Sequence, residues 1–230
     1  MAEHALIVGA GSGLSRALAE LFHSEGMTIG LAARDTGKLD ALAKKTNAKT
    51  YPCDASDPES IDALFAAYTK EIGTPDVVVY NPSYRTRGPF TELDRDEVKQ
   101  TLLTTAYGGF LVGQAAAKLM LDAGKGSILF TGASASVKGY PQSAPFAMGK
   151  FGLRGLAQSM ARELQPQNIH IGHFIIDGGI NRGPDDPRSN RGEDGLLDAD
   201  EIAKTYLHVH RQHRSTWTWE IELRPWVEKF

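Results

Sequence analysis

Ala5-Leu6-Ile7-Val8-Gly9-Ala10-Gly11-Ser12-Gly13-Leu14-Ser15 is the stretch on which the reading of this chain turns. Four apolar residues of strand type run into a glycine-rich turn, and a helical pattern starts at Leu14 without a spacer. Glycine is needed where the backbone bends tightly and where it must approach a pyrophosphate with no Cβ in between. The helix that follows offers unpaired N–H groups and the positive end of its dipole to the same spot. A glycine-rich turn alone is a weak signal, but between the first strand and the first helix of an α/β chain it predicts a dinucleotide site. The alternative, a tight structural turn, does not require Gly9, Gly11 and Gly13 within five positions. Ser12 stands where it can cap the helix.

Outward from this turn, short apolar runs alternate with longer helical patterns. Ala5–Val8, Thr28–Ala32, Asp76–Tyr80, Ser127–Thr131 and His170–Ile176 read as strands buried on both faces, and Leu14–Glu25, Pro58–Ile72, Asp94–Ala123 and Phe146–Leu164 as helices. Doubly buried strands joined by helical crossovers predict an α/β fold: a doubly wound parallel sheet of Rossmann type, helices on both faces, ligands at the carboxyl ends of the strands. One domain over 1–230 accommodates all of it, and Asn181–Asp200, rich in Gly, Pro, Asp and Arg, reads as a mobile flap over the site.

Bulk properties narrow the partners. The chain has 230 residues, is 41% hydrophobic and carries a formal net charge of −3, with a pI near 6.2. That balance leaves no footprint for nucleic acid and no basic amphipathic stretch for a membrane surface, so small molecules are the expected partners. No apolar stretch approaches the roughly twenty residues of a membrane span. The single Cys53 rules out an internal disulfide, and Met1-Ala-Glu-His enters an apolar run without a secretory leader, which fits a soluble protein of the reducing cytoplasm.

The second strand ends in Ala32-Ala33-Arg34, with no carboxylate to bind a ribose 2′-hydroxyl. Arg34 suits a 2′-phosphate instead and favours NADP(H) over NAD(H), although Asp35 adjoins it and arginine is common in surface turns. In Cys53-Asp54-Ala55, the acid following a short strand is placed to accept from an adenine amino group. Its other reading is a helix cap, a task open also to Ser56 and Asp57.

These residues carry a resemblance. In order and spacing, Gly9-Ala10-Gly11-Ser12-Gly13-Leu14, Asp54, Tyr80-Asn81-Pro82-Ser83, Thr131-Gly132-Ala133-Ser134, Lys150 and Asp177-Gly178-Gly179-Ile180 make the chain similar to a short-chain dehydrogenase/reductase over nearly its whole length. The resemblance implies a seven-stranded sheet, with Gly9, Gly11, Ser12, Gly13, Leu14, Arg34, Asp54, Ala55 and Asn81 to Ser83 along the adenosine and phosphate side. It further implies that Lys150 binds the nicotinamide ribose and that the Ile180 backbone meets the carboxamide. In this family a serine orients the substrate carbonyl, a tyrosine exchanges the proton, a lysine lowers the tyrosine pKa and an asparagine completes a relay.

Here Lys150 matches, but Phe146 stands at the tyrosine position and Thr105 at the asparagine position. The serine spacing falls on Ala133, so Ser134 fits only with a one-residue shift, and Ser15 replaces the last glycine of the phosphate turn. Phenylalanine has no hydroxyl to protonate an alkoxide. An aromatic at the start of an amphipathic helix is also often core. Tyr84, Tyr140, His173 and Asp177 are the candidates to replace the phenol; water or the substrate's own acid are others. His208, His210 and His213 read as a solvated helix face, not a metal site, and Trp217–Trp226 as a final strand. The resemblance also implies a homodimer or homotetramer through the long helices. Two functions follow: a divergent NADP(H)-dependent oxidoreductase acting on a small carbonyl or alcohol, or a catalytically silent NADP(H)-binding sensor or scaffold.

Overall fold

A computed structural model describes residues 2–183 and 186–228. Seven strands, β1 (His4–Val8), β2 (Thr28–Ala33), β3 (Lys49–Pro52), β4 (Val77–Tyr80), β5 (Gly126–Thr131), β6 (Ile169–Ile176) and β7 (Glu220–Leu223), form one sheet in the order β3-β2-β1-β4-β5-β6-β7. Every pairing is parallel. Successive strands therefore need crossovers, supplied by α1 (Leu14–Ser24), α2 (Asp40–Thr46), α3 (Pro58–Glu71), α4 (Arg95–Leu102), α5 (Gly108–Ala123), α6 (Ala144–Leu164) and α7 (Ala199–His210).

The two-residue period of a strand sorts the core into two halves. Leu6, Val8, Val78, Tyr80, Ile128 and Phe130 join one cluster with residues of α3, α5 and α6. Ala5, Ile7, Val77, Val79 and Leu129 join the other with α1 and α7. The helix starts follow from local chemistry: Asp57, Asp94 and Asp198 accept from backbone N–H groups in the first turns of α3, α4 and α7. Gly124, at φ 72°, ends α5 in the left-handed conformation.

Three expectations need correction. The helix read as continuous over Asp94–Ala123 is α4 and α5 joined by a π turn, Leu103–Tyr107. The Tyr80 hydroxyl donates to the Thr104 carbonyl inside that turn, and the wider turn lets α5 approach the chain after β3 closely. The final strand spans only Glu220–Leu223, because Trp217 stacks on His170 at 4.6 Å and follows a 3₁₀ turn. His210 does not lie on a solvated face; its ring sits against Ser127 Oγ at 2.9 Å and Glu3 Oε1 at 3.2 Å, and burial lowers its pKa.

A Cβ at Gly108 would lie 2.3 Å from the Ala55 carbonyl oxygen, whereas a Cβ at Gly155 on α6 meets nothing within 4 Å. Gly108→Ala should therefore lower stability in urea unfolding by about 1–3 kcal/mol. Gly155→Ala, which only gains helix propensity, should leave it unchanged or slightly raised.

Candidate active site

The strand order reverses between β1 and β4, and the crevice at their carboxyl ends is where an open α/β sheet binds ligands. Gly9 leaves β1 at φ 79°, and a Cβ there would lie 2.7 Å from Pro82. The Asn81 amide N–H donates to the Val8 carbonyl at 3.0 Å. Ser15, at the position of a family glycine, is buried; its hydroxyl donates to the Gly9 carbonyl at 3.1 Å and accepts from Asn81 Nδ2 at 2.9 Å. The substituted serine thus ties the turn to β4. Ser12 does not cap α1: the cap position is Gly13, one residue later, with no side-chain bond to the helix. Ser12 is exposed and lines the crevice.

The crevice holds two adjoining cavities of about 500 and 860 Å³, both lined by Ser12, Asn81 and Ser83. The smaller one is also lined by Gly9, Gly11, Arg34, Lys38, Asp54, Ala55 and Pro82. Asp54 Oδ1 accepts from Ser56 N at 2.9 Å and Ser56 Oγ at 2.7 Å. Those bonds, the backbone one and the Arg34 charge hold its carboxyl below the ordinary range against partial desolvation. The capping task falls to Asp57, whose side chain accepts from Glu59 N at 3.1 Å.

The larger cavity gathers Gly13, Leu14, Ala133, Ser134, Phe146, Lys150 and Ile180. Lys150 is buried, donates to the Thr131 carbonyl at 2.7 Å and is pushed down to about 7 by desolvation. Phe146 is half-buried and faces the cavity, so it is not a core aromatic. Its ring lies 4.8 Å from the Arg85 guanidinium carbon and 5.9 Å from Lys150 Nζ. Thr105 is fully buried within the π turn, where its hydroxyl oxygen accepts from Tyr84 N at 3.3 Å. The Ile180 carbonyl accepts from Arg188 Nη2 at 2.7 Å, and Ile180 pairs with Leu197.

Of the four candidates to replace the phenol, only Tyr140 lines this cavity. The Tyr84 hydroxyl donates to Glu97 at 2.7 Å, and Asp177 pairs with Lys138 at 2.8 Å. His173 is enclosed behind the loop that follows β5: its Nε2 lies 3.4 Å from Ser136 Oγ and its Nδ1 3.0 Å from Glu220 Oε2. Arg154 holds Glu220 in turn through two bonds of 2.7 and 2.8 Å. Burial drives the His173 pKa down to about 4 despite Glu220. A Cβ on Gly132 would lie 2.5 Å from that ring, so glycine is required there.

Of the Asn181–Asp200 segment, Pro184 and Asp185 lie outside the described residues. The remainder is internally bonded: the Asp186 carboxylate accepts from Arg182 N at 3.0 Å and from Arg188 Nε at 2.9 Å. Among the described residues no group of His, Cys, Asp and Glu is set to hold a metal, and no helix is long and apolar enough to cross a membrane.

A doubly wound parallel sheet with a glycine turn at its switch point defines a Rossmann-type nucleotide-binding protein. The short chain dehydrogenase family profile matches residues 3–181. A trans-4-hydroxycyclohexanecarboxylate dehydrogenase of Sinomonas cyclohexanicum is 33% identical over 180 residues, covering 73% of this chain and 68% of that one. A solved short-chain dehydrogenase from Rhodopseudomonas palustris is 31% identical with a TM-score of 0.83, covering 97% of this chain and 99% of that one. A metagenomic short-chain oxidoreductase solved in complex with NADP is 24% identical, TM-score 0.85, covering 98% of each. This chain belongs to the short-chain dehydrogenase family.

The buried lysine sets a pH dependence. Below pH 7 its ammonium is charged in the folded and the unfolded chain, and the full burial penalty is present. Between there and the ordinary lysine value near 10.4 the unfolded chain binds more protons, so this contribution makes stability rise with pH. The stability of wild type minus that of Lys150→Met, from urea melts, should increase by about 1–2 kcal/mol between about pH 7 and 8.5. A flat difference would show that the Lys150 charge is not suppressed.

Proposed function

We propose that this chain is an NADP(H)-dependent oxidoreductase that moves hydride between the nicotinamide and a small carbonyl or alcohol substrate, the proton being exchanged with Tyr140, with water or within the substrate itself. One observation carries the reading. Cβ atoms built on Gly11 and Gly13 meet nothing within 4 Å, so packing does not demand glycine at either place. A pyrophosphate resting on the turn does demand it, and the α1 N-terminus beside it has no side-chain cap to compete.

The remaining roles follow along the crevice. Arg34 receives the 2′-phosphate at the end of β2, and Asp54 with Ala55 meets the adenine. Asn81, Pro82 and Ser83 form the floor, Lys150 holds the nicotinamide ribose, and the Ile180 loop closes on the carboxamide. When bound, the nicotinamide supplies or accepts the hydride. Ser134 orients the substrate oxygen beside Ala133. Phe146 keeps the shape of the family's tyrosine ring without its proton chemistry. Lys150, its charge disfavoured by burial and its Nζ already bonded to the Thr131 carbonyl, serves as a positioning group. The segment 181–200 acts as the flap, and the chain self-associates through α5 and α6, where Phe110 and Phe151 are exposed.

A sensor or scaffold that binds NADP(H) without turnover is the second reading, favoured by the absence of a phenol at Phe146. Titration followed by cofactor fluorescence should show saturable binding with NADPH preferred over NADH, and Arg34→Ala should remove most of the preference. NADPH should then be consumed with at least one member of an aldehyde, ketone and enone panel. Tight binding without turnover supports the sensor; absence of binding overturns both readings.

A further inference from the structure

Arg85 lines the larger cavity on a segment clamped from both sides. On one side Tyr84 is fixed twice, by its amide to Thr105 Oγ1 at 3.3 Å and by its hydroxyl to Glu97 at 2.7 Å. On the other, Arg87 Nε donates to Ser143 Oγ at 3.3 Å and Gly88 N to the Gln142 carbonyl at 3.2 Å. The guanidinium between these anchors rests over the Phe146 ring, 4.8 Å from its centroid. Two of the positions at which the chain departs from its family therefore support one side chain: Thr105 anchors the segment that carries Arg85, and Phe146 is its platform. An aromatic face attracts a guanidinium but leaves its N–H fork free for another partner.

The charges around it are unbalanced. Among the described residues lining this cavity there is no carboxylate, while Arg16, Arg85, Arg182 and Arg188 all line it. Arg16 is paired with Glu20 and Asp200, and Arg188 with Asp186. Arg85 and Arg182 have no ion pair among the described residues, and of the two only Arg85 is seated over the Phe146 ring; desolvation and the neighbouring Arg87 act against its charge. Arg85 is exposed to the cavity, so its fork, stacked on Phe146 with no carboxylate among the described lining residues, is available to an anion, and the planar fork matches a carboxylate through two parallel bonds.

We infer that Arg85 is a substrate-recognition residue that binds a carboxylate, so that the substrate is a small oxo acid or hydroxy acid and not a neutral ketone or alcohol. The inference rests on the larger cavity being the substrate end of an NADP(H) site. The anion binds to the Arg85 fork beside Phe146 and the pyrophosphate to the backbone of the Gly11–Gly13 turn, so recognition of substrate and of cofactor separate by mutation even though Gly13 lines the same cavity.

Calorimetric titration of the full chain with oxamate and malonate, against the neutral amides oxamide and malonamide, with and without NADPH, tests this. The carboxylates should bind at least ten-fold more tightly than the amides. Arg85→Gln should weaken oxamate at least ten-fold and Arg85→Lys at least three-fold, with NADPH affinity within about two-fold of wild type in both. Arg95→Gln, which removes an exposed cation of α4 that lines neither cavity, should leave oxamate within two-fold, because only general electrostatics change. Equal binding of carboxylate and amide, no binding of either carboxylate, or oxamate affinity indifferent to Arg85 would overturn the inference. Should Arg85→Gln not fold, Arg85→Lys decides alone. Loss of NADPH binding in wild type with Arg85-dependent oxamate binding intact would instead count against the cofactor reading.

Discussion

The close approach of Gly9 to Pro82, where β1 and β4 part, is the constraint on which the rest of this structure depends. A parallel sheet whose order reverses there opens a crevice, and the chain must cross its lip twice within a few ångströms. Only a residue without Cβ and at ease at positive φ fits at Gly9. Ser15 and Asn81 then fasten the two sides, one hydroxyl serving as both donor and acceptor. This bond set fixes where α1 begins and hence where its free N–H groups point. It also places Asn81 and Ser83 on the walls of both cavities.

Much of the fold was legible because its signals are local. Val77–Tyr80 and Ile169–Ile176 are apolar on both faces, as strands covered by helices must be. The edge elements were less so. β3 alternates weakly, β7 is short, and α2 has only seven residues, so periodicity had little to act on. The π turn was invisible because it arises from tertiary contact: a hydroxyl on β4 reaching a helix carbonyl and Gly108 lying against the β3–α3 connection.

The site divides in the same way. That the glycine turn, Asp54, Asn81 and Lys150 line one crevice was legible from motif and order. Ser15, where the last glycine of the turn is replaced, makes two bonds that the substitution alone does not announce. Arg85 left no mark in the sequence, since nothing local distinguishes it from Arg87 or Arg182; its place depends on Thr105 and Phe146, distant in the chain. The Ser136–His173–Glu220–Arg154 sequence of contacts behind Gly132 was equally hidden. It links α6, β6 and β7 to the loop of Ala133 and Ser134, giving that loop a rigid back.

If the crevice binds NADP(H) as proposed, a site with no phenol at Phe146 should be limited by proton transfer. The most direct test is the rate of NADPH-dependent carbonyl reduction by Phe146→Tyr beside wild type, with NADPH affinity measured in both. Adding a positioned phenol near Lys150 should raise kcat by about ten-fold or more, with NADPH affinity unchanged. An unaltered kcat with NADPH still bound would contradict the account, because proton supply at residue 146 would then not be what the site lacks.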